Sequence, residues 1–316
     1  MNDLAGNKMQ INDFMKVIEK GHSRRYIPAK KRGIIGVRLA EATPLVWNGR
    51  LYRFEWYRLP LIARLHSYYE ESMGEMCFRF VDFETGDYSK SFAYGYTFGS
   101  AYEENGTLYA LGTLGGRIDI FVSGDMESWE QRTIIDLPGT ELYNTSLCKC
   151  PEGYILAFET GPYPFTINFA CSADIIHWDI MPMDEYAWGK DFYAACPTIR
   201  WYDGWYYLLY GEELPRYRYA MYIARTKDFK TMELGIQNPI FYATDEDRYI
   251  EHPEKFTQKE LELLELTTDV GDLDFDLCEF NGKTIITYTW GNQMGDEFLN
   301  WAEYDGPMGE FLKSHF

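Results

Sequence analysis

The sequence has no Cys-x-x-Cys pair, no His-x-x-x-His or His-Glu-x-x-His spacing, and no Gly-x-Ser-x-Gly elbow. Its five histidines, His22, His66, His177, His252 and His315, are scattered, so nothing points to a histidine-built metal centre. No glycine-rich loop follows a strand and opens a helix, which removes the usual phosphate cradle. The six cysteines are Cys77, Cys148, Cys150, Cys171, Cys196 and Cys278. They are expected to be buried, reduced thiols. Basic residues are scarce: 30 Lys and Arg face 49 Asp and Glu, a formal charge of −19. That balance argues against a nucleic acid or an anionic membrane as partner, since both need a basic surface. A neutral ligand such as a sugar is compatible with it. No apolar run reaches the length of a membrane span, and no secretory leader is visible, so a cytoplasmic protein is expected. These exclusions leave carboxylate chemistry or plain binding.

What is present is a phrase repeated five times, in which a few apolar residues, a turn glycine and a strand-like run follow one another. The copies include Thr43-Pro-Leu-Val-Trp-Asn-Gly49, Ser100-Ala-Tyr-Glu-Glu-Asn-Gly106 and Ser146-Leu-Cys-Lys-Cys-Pro-Glu-Gly153. The others are Pro197-Thr-Ile-Arg-Trp-Tyr-Asp-Gly204 and Asp276-Leu-Cys-Glu-Phe-Asn-Gly282. A hairpin repeat with a period of roughly 50 residues predicts an all-β fold, a five-bladed β-propeller. The blades are expected near 41–93, 94–138, 140–188, 192–241 and 271–312, within one propeller domain spanning 33–316. Asn48-Gly49, Asn105-Gly106, Asp203-Gly204 and Asn281-Gly282 are tight-hairpin signals. Ser123-Gly-Asp125, Ser172-Ala-Asp174 and Thr226-Lys-Asp228 mark a second recurrent turn.

Residues 1–32 read as an N-terminal extension with a short helix around Ile11–Glu19. A basic patch follows, Arg24, Arg25, Lys30, Lys31 and Arg32, expected to be a solvated connector. Gly33–Leu39 is β-like and suited to close the ring as the outer strand of the last blade. Between blades four and five lies an insertion, Tyr242–Val270. Its Thr257-Gln-Lys-Glu260 capping box predicts a short helix. Insertions of this length commonly serve as lids or pocket walls.

In a propeller the inner strands line a central channel, and substrates bind at its mouth. Eight residues before the turn glycine stand Glu41 in blade one and Asp274 in blade five, which become neighbours when the ring closes. They are the first catalytic candidates. Asp272-Leu-Asp274-Phe-Asp276 alternates, so its three carboxylates are expected on one strand face. There they would tune one another's pKa, pair with Arg or Lys, or bind a cation such as calcium. No other cofactor is implied. Asp191 is a further acidic candidate. Ligand contacts are expected from Trp56, Tyr143, Asn144, Glu159, Glu212, Trp290, Asn292 and Gln293.

The run Ala195-Cys-Pro197-Thr-Ile-Arg-Trp-Tyr-Asp-Gly204-Trp-Tyr-Tyr, the segment Tyr219-Ala-Met-Tyr-Ile-Ala224-Arg-Thr-Lys-Asp228 and the Ser-x-Asp-x-x-x-Trp turns resemble the five-bladed propeller glycoside hydrolases. The resemblance is to family 43 and its relatives, families 32, 62 and 117, and it covers most of 33–312. It implies a hydrolase that cleaves a terminal sugar from an oligosaccharide with a carboxylate acid and base. It also implies that Glu41 stands at the family's base position, where Asp is usual. The family's two other acids fall on Asn144 and Ala195, so the acid is expected elsewhere, first at Asp274. A non-hydrolytic sugar-binding propeller is the alternative. A glycoside phosphorylase is another, with Arg58, Arg216 and Arg218 as candidate phosphate contacts.

Overall fold

The computed structural model describes residues 29–58, 76–293 and 295–316. They form five antiparallel sheets arranged as the blades of a propeller. Blade one holds β2 (Ala40–Trp47), β3 (Arg50–Arg58) and β4 (Met76–Asp82). Blade two holds β5 (Thr97–Glu104), β6 (Thr107–Leu114), β7 (Arg117–Ser123) and β8 (Glu130–Asp136). Blade three holds β9 (Leu142–Cys150), β10 (Gly153–Thr160), β11 (Thr166–Ser172) and β12 (Asp179–Ile180). Blade four holds β13 (Ala195–Tyr202), β14 (Trp205–Leu214), β15 (Arg218–Thr226) and β16 (Glu233–Leu234), with β17 (Phe241–Tyr242) also on β15. Blade five holds β18 (Asp272–Phe280), β19 (Lys283–Gly291) and β20 (Glu297–Tyr304). Its outer strand is β1 (Lys30–Val37), antiparallel to β20.

The inner strands follow one another around the axis, β2 to β5, β9, β13 and β18, and β18 meets β2 again. That last contact closes the ring. Closure by β1 agrees with the sequence reading, although the strand starts at Lys30, inside the segment read as an extension. The expected helix at Ile11–Glu19 and the arginines Arg24 and Arg25 lie outside the described residues.

The hairpin turns have the expected geometry. In Asn48-Gly49, Asn105-Gly106, Asp203-Gly204 and Asn281-Gly282 both residues have positive φ, as a type I′ turn requires. In the second recurrent turn Asp125, Asp174 and Asp228 each accept backbone N–H groups two and three residues on. These bonds fix the turn locally, so the repeat is structural there.

The core lies between blades rather than inside them. Phe54, Phe78, Phe80 and Phe92 pack where blades one and two meet. Leu111, Ile120, Leu147 and Phe158 join blades two and three. Tyr207, Leu209, Phe275 and Tyr288 join blades four and five. Wedges between twisted sheets widen outward, and rings fill them. Each such buried ring removes enough apolar surface to stabilise the fold by about 1.5–3 kcal/mol.

The insertion does not cover the channel mouth. A four-residue helix, α1 (Met183–Tyr186), lies between blades three and four, and the insertion carries α2 (Gln258–Leu266), capped by Thr257 and Glu260 as expected. Leu264 of α2 packs with Ile34, Trp290 and Phe298 on blade five. Arg248 ties the segment together by donating to the carbonyls of Leu264 and Thr267, both at 2.6 Å. Lys31 is likewise no solvated connector. Its ammonium is buried and donates to Asp272 at 2.7 Å and to Asp247 at 2.8 Å. A last helix, α3 (Met308–Lys313), packs on blade five through Phe311 and Leu312. No helix among the described residues is long and apolar enough to cross a membrane.

Candidate active site

The inner strands of four blades carry the same irregularity. Register breaks between Ala40 and Ala42, Thr97 and Ser100, Ala195 and Thr198, and Leu273 and Asp276. Within each break one residue adopts left-handed φ: Glu41 at 46°, Phe98 at 51°, Cys196 at 51° and Asp274 at 51°. These are β-bulges, which re-aim a side chain out of the ladder. A non-glycine residue in this conformation costs about 1–3 kcal/mol. The four bulge residues surround the axis and line its upper cavity. In blade three the inner strand also carries an extra residue, between Leu142 and Thr145 and opposite Glu159, but neither Tyr143 nor Asn144 has a positive φ.

This bulge corrects two readings. The residue of blade four that matches Glu41 is Cys196, not Ala195. The alternation of Asp272, Asp274 and Asp276 also fails, because the bulge separates their neighbourhoods. Asp272 turns to the buried Lys31. Asp276 lies deeper along the axis and is ion-paired with Arg200. Only Asp274 of the three lines the upper cavity. A shared cation at these three carboxylates is therefore not supported. Asp272 instead groups with Asp247 and Asp269, with carboxylate oxygens within 4.8 Å of one another. The Lys31 ammonium bonds two members of that group, Asp247 and Asp272, and so already supplies a positive charge there.

The upper cavity is a funnel of about 320 Å³. Below it the axis narrows to a pocket of about 30 Å³, room for roughly one water molecule. Glu41, Asn144, Cys196 and Asp274 border both spaces. Glu41 Oε2 is buried and has no hydrogen-bond partner among the described residues. Burial pushes the Glu41 carboxyl well above its usual range, and the charge of Asp274 pushes it further. Asp274 is also raised by burial, but the Cys196 thiol and the Thr289 hydroxyl hold it down. The Thr289 hydroxyl donates to Asp274 Oδ2 at 2.5 Å. Cys196 itself stays a thiol, because burial and the charges of Asp274 and Glu159 raise it well above its usual value.

Glu159 Oε2 accepts the Cys196 backbone N–H at 2.7 Å and the Asn144 amide at 3.1 Å. Burial still pushes Glu159 up to about 7. Arg58 Nη2 donates to Glu297 Oε2 at 2.8 Å across the seam between blades one and five. Around the funnel runs an arc of rings. Trp56 lies 4.9 Å from Phe98, Phe98 5.1 Å from Tyr143 and Tyr143 5.2 Å from Phe165. Tyr193 and Tyr219 continue it.

The expected ligand contacts divide accordingly. Trp56, Tyr143, Asn144, Glu159 and Gln293 line the funnel. Glu212 does not; it accepts the Tyr210 hydroxyl at 2.8 Å. Trp290 is fully buried, stacked on Phe298 and bonded to Asn300, so it is core rather than a sugar platform. Asn292 belongs to a turn, where its amide donates to Asp296 at 3.0 Å. Asp191 is exposed and outside the funnel lining. Sequence reading missed Glu297, Phe165, Tyr193 and Tyr219 as funnel residues. Only Tyr193 had a signal, its position just before the blade-four strand start.

No family model matches the chain, and no curated protein does. Solved structures do. One described as a glycoside hydrolase aligns at a TM-score of 0.57 and 10% identity, covering 96% of this chain and 97% of that one. The GH32 β-fructofuranosidase BmSUC1 of Bombyx mori aligns at 0.56 and 12%, covering 91% and 65%. An exo-1,5-α-L-arabinanase from a bovine ruminal metagenomic library aligns at 0.52 and 11%, covering 89% and 97%. At such identities the likeness is one of fold. The chain has the five-bladed propeller found in these glycoside hydrolase structures.

Proposed function

We propose that this protein is a glycoside hydrolase that removes a terminal sugar from an oligosaccharide. The observation that carries the reading is Glu41, whose buried Oε2 has no hydrogen-bond partner among the described residues, beside a hydrogen-bonded carboxylate, Asp274, at the foot of an aromatic funnel. Two carboxyl groups whose surroundings push their proton affinities apart are the pattern of an acid and a base. The surroundings favour Glu41 as the acid and Asp274 as the base, the reverse of the roles expected from family resemblance. Glu41 gives its proton to the glycosidic oxygen as the carbon–oxygen bond breaks. Asp274 takes a proton from the water that attacks the anomeric carbon. The narrowing of the funnel to the 30 Å³ pocket supports entry of a chain end. Several fold neighbours bear glycosidase names, which supports a carbohydrate ligand.

A non-hydrolytic sugar-binding propeller is the second reading. It is favoured by Asn144 and Cys196, which stand where the family's other acids are expected. The phosphorylase reading loses support. Arg216 and Arg218 are absent from the funnel lining, and Arg58 is already bonded to Glu297. The test is release of reducing sugar from a panel of neutral oligosaccharides. Wild type is expected to cleave at least one. Glu41→Gln and Asp274→Asn are each expected to lower turnover on it by about 10²–10⁴-fold. Binding across the panel without any cleavage would establish the second reading instead.

A further inference from the structure

The funnel is not symmetric. On the side of blades one and five its wall carries the Arg58–Glu297 pair and Gln293 beside a single ring, Trp56. On the side of blades three and four it is a run of rings climbing outward from the carboxylates. Tyr193 sits low, close enough to feel Cys196, Glu159 and Asp274. Phe165 lies 5.6 Å from it, and Tyr163 lies 6.0 Å from it at the rim, where it is 60% exposed. Tyr219 flanks Tyr193 at 5.4 Å.

Both ends of this run are tied to carboxylates. The Tyr143 hydroxyl donates to Glu141 at 3.0 Å, and the Tyr163 hydroxyl donates to Glu213 at 2.5 Å. These bonds occupy the phenol protons and fix the rings. What the outer part of the run offers is ring faces and carboxylate oxygens that accept hydrogen bonds, with the Tyr193 and Tyr219 hydroxyls deeper in the funnel. Such a surface suits a ligand with a flat apolar face and many hydroxyl donors. It repels an anionic one.

We propose that the blade three and four arc is a second sugar-binding subsite, which holds the leaving-group residue of a neutral oligosaccharide by stacking, with Tyr163 as its outermost platform. This deepens the glycosidase reading and rests on it. The substrate then enters over blades three and four, and its terminal sugar points toward the seam of blades five and one. Glu141 and Glu213, behind the Tyr143 and Tyr163 hydroxyls, disfavour uronic acid chains.

Calorimetry in a Glu41→Gln background, where the ligand is not consumed, separates this claim from the parent reading. The probes are linear neutral trisaccharides of arabinose, xylose and galactose, the matching monosaccharides, and trigalacturonate. For a trisaccharide that binds, Tyr163→Ala is expected to raise Kd roughly tenfold and to leave the monosaccharide within about twofold. Tyr163→Phe, which keeps the ring, is expected to retain trisaccharide binding. An unchanged trisaccharide Kd in Tyr163→Ala overturns the subsite. So does equal weakening of monosaccharide and trisaccharide, or trigalacturonate binding as tightly as the neutral chains. If the background protein binds none of the sugars, the glycan reading itself falls and the subsite falls with it.

Discussion

Glu41 and Asp274 hold a backbone conformation that side chains beyond glycine seldom adopt, and Phe98 and Cys196 hold it too. The cost of that conformation is offset by what the bulge achieves, which is to aim one side chain per blade at the axis. Glu159 secures the arrangement by accepting the Cys196 N–H of the blade-four bulge. Its own carboxyl is raised from 4.5 to about 7, first by burial. A carboxyl raised on folding binds its proton more tightly in the native state than in the unfolded one. Its favourable contribution is therefore complete below about pH 4.5 and is lost as pH rises toward 7. Glu159→Gln keeps an acceptor without the charge. The variant is expected to gain stability relative to wild type as pH rises through that window, by an amount on the order of 3 kcal/mol at pH 8. Urea denaturation of both proteins at pH 5 and pH 8 measures it, and a difference independent of pH would refute the assignment. At this scale the sequence was partly legible. Glu41, Asp274 and Glu159 stood out as acids at strand starts or strand ends. Asp272 and Asp276 looked equally good, because a strand pattern does not say which acid has a lysine or arginine waiting for it.

Among the elements, the hairpins and the Ser-x-Asp turns could be read directly, since each is fixed by residues within three or four positions. The helix α2 was readable for the same reason, through its capping box. The bulges were not. One extra residue shifts every later side chain to the other face, and nothing in Asp272-Leu-Asp274-Phe-Asp276 announces it. The strand β1 was expected to close the ring, but the role of Lys31 was not. Its ammonium is kept charged, with its pKa raised, because Asp272 and Asp247 outweigh the burial that would lower it. It fastens the outer strand of blade five to the insertion and to β18 at once. Lys31→Met removes the cation and leaves two buried carboxylates unpaired. The expected loss is about 3–5 kcal/mol of stability, read from the shift of the urea midpoint at neutral pH. A loss below about 1 kcal/mol would mean that the outer strand is held by its ladder alone.

Over the whole molecule, ring closure is what makes the site. Glu41 lies on the first inner strand and Asp274 on the last, and only the meeting of β2 with β18 brings them to one funnel. The five-fold repeat told where to look because a propeller gathers its inner strand starts at one mouth. It did not tell which walls would be aromatic, since Tyr193, Tyr219 and Phe165 come from loops and strand ends outside the repeated phrase. The central claim is that Glu41 delivers the proton to the departing sugar and Asp274 activates water. It is tested most directly by comparing kcat/KM on two substrates carrying the same terminal sugar. One is the oligosaccharide; the other is a dinitrophenyl glycoside, whose leaving group needs no proton. The account predicts that Glu41→Gln loses about 10²–10⁴-fold on the oligosaccharide but less than about tenfold on the aryl glycoside, whereas Asp274→Asn loses heavily on both. Equal losses on the two substrates for Glu41→Gln, or an Asp274→Asn variant close to wild type, would contradict it.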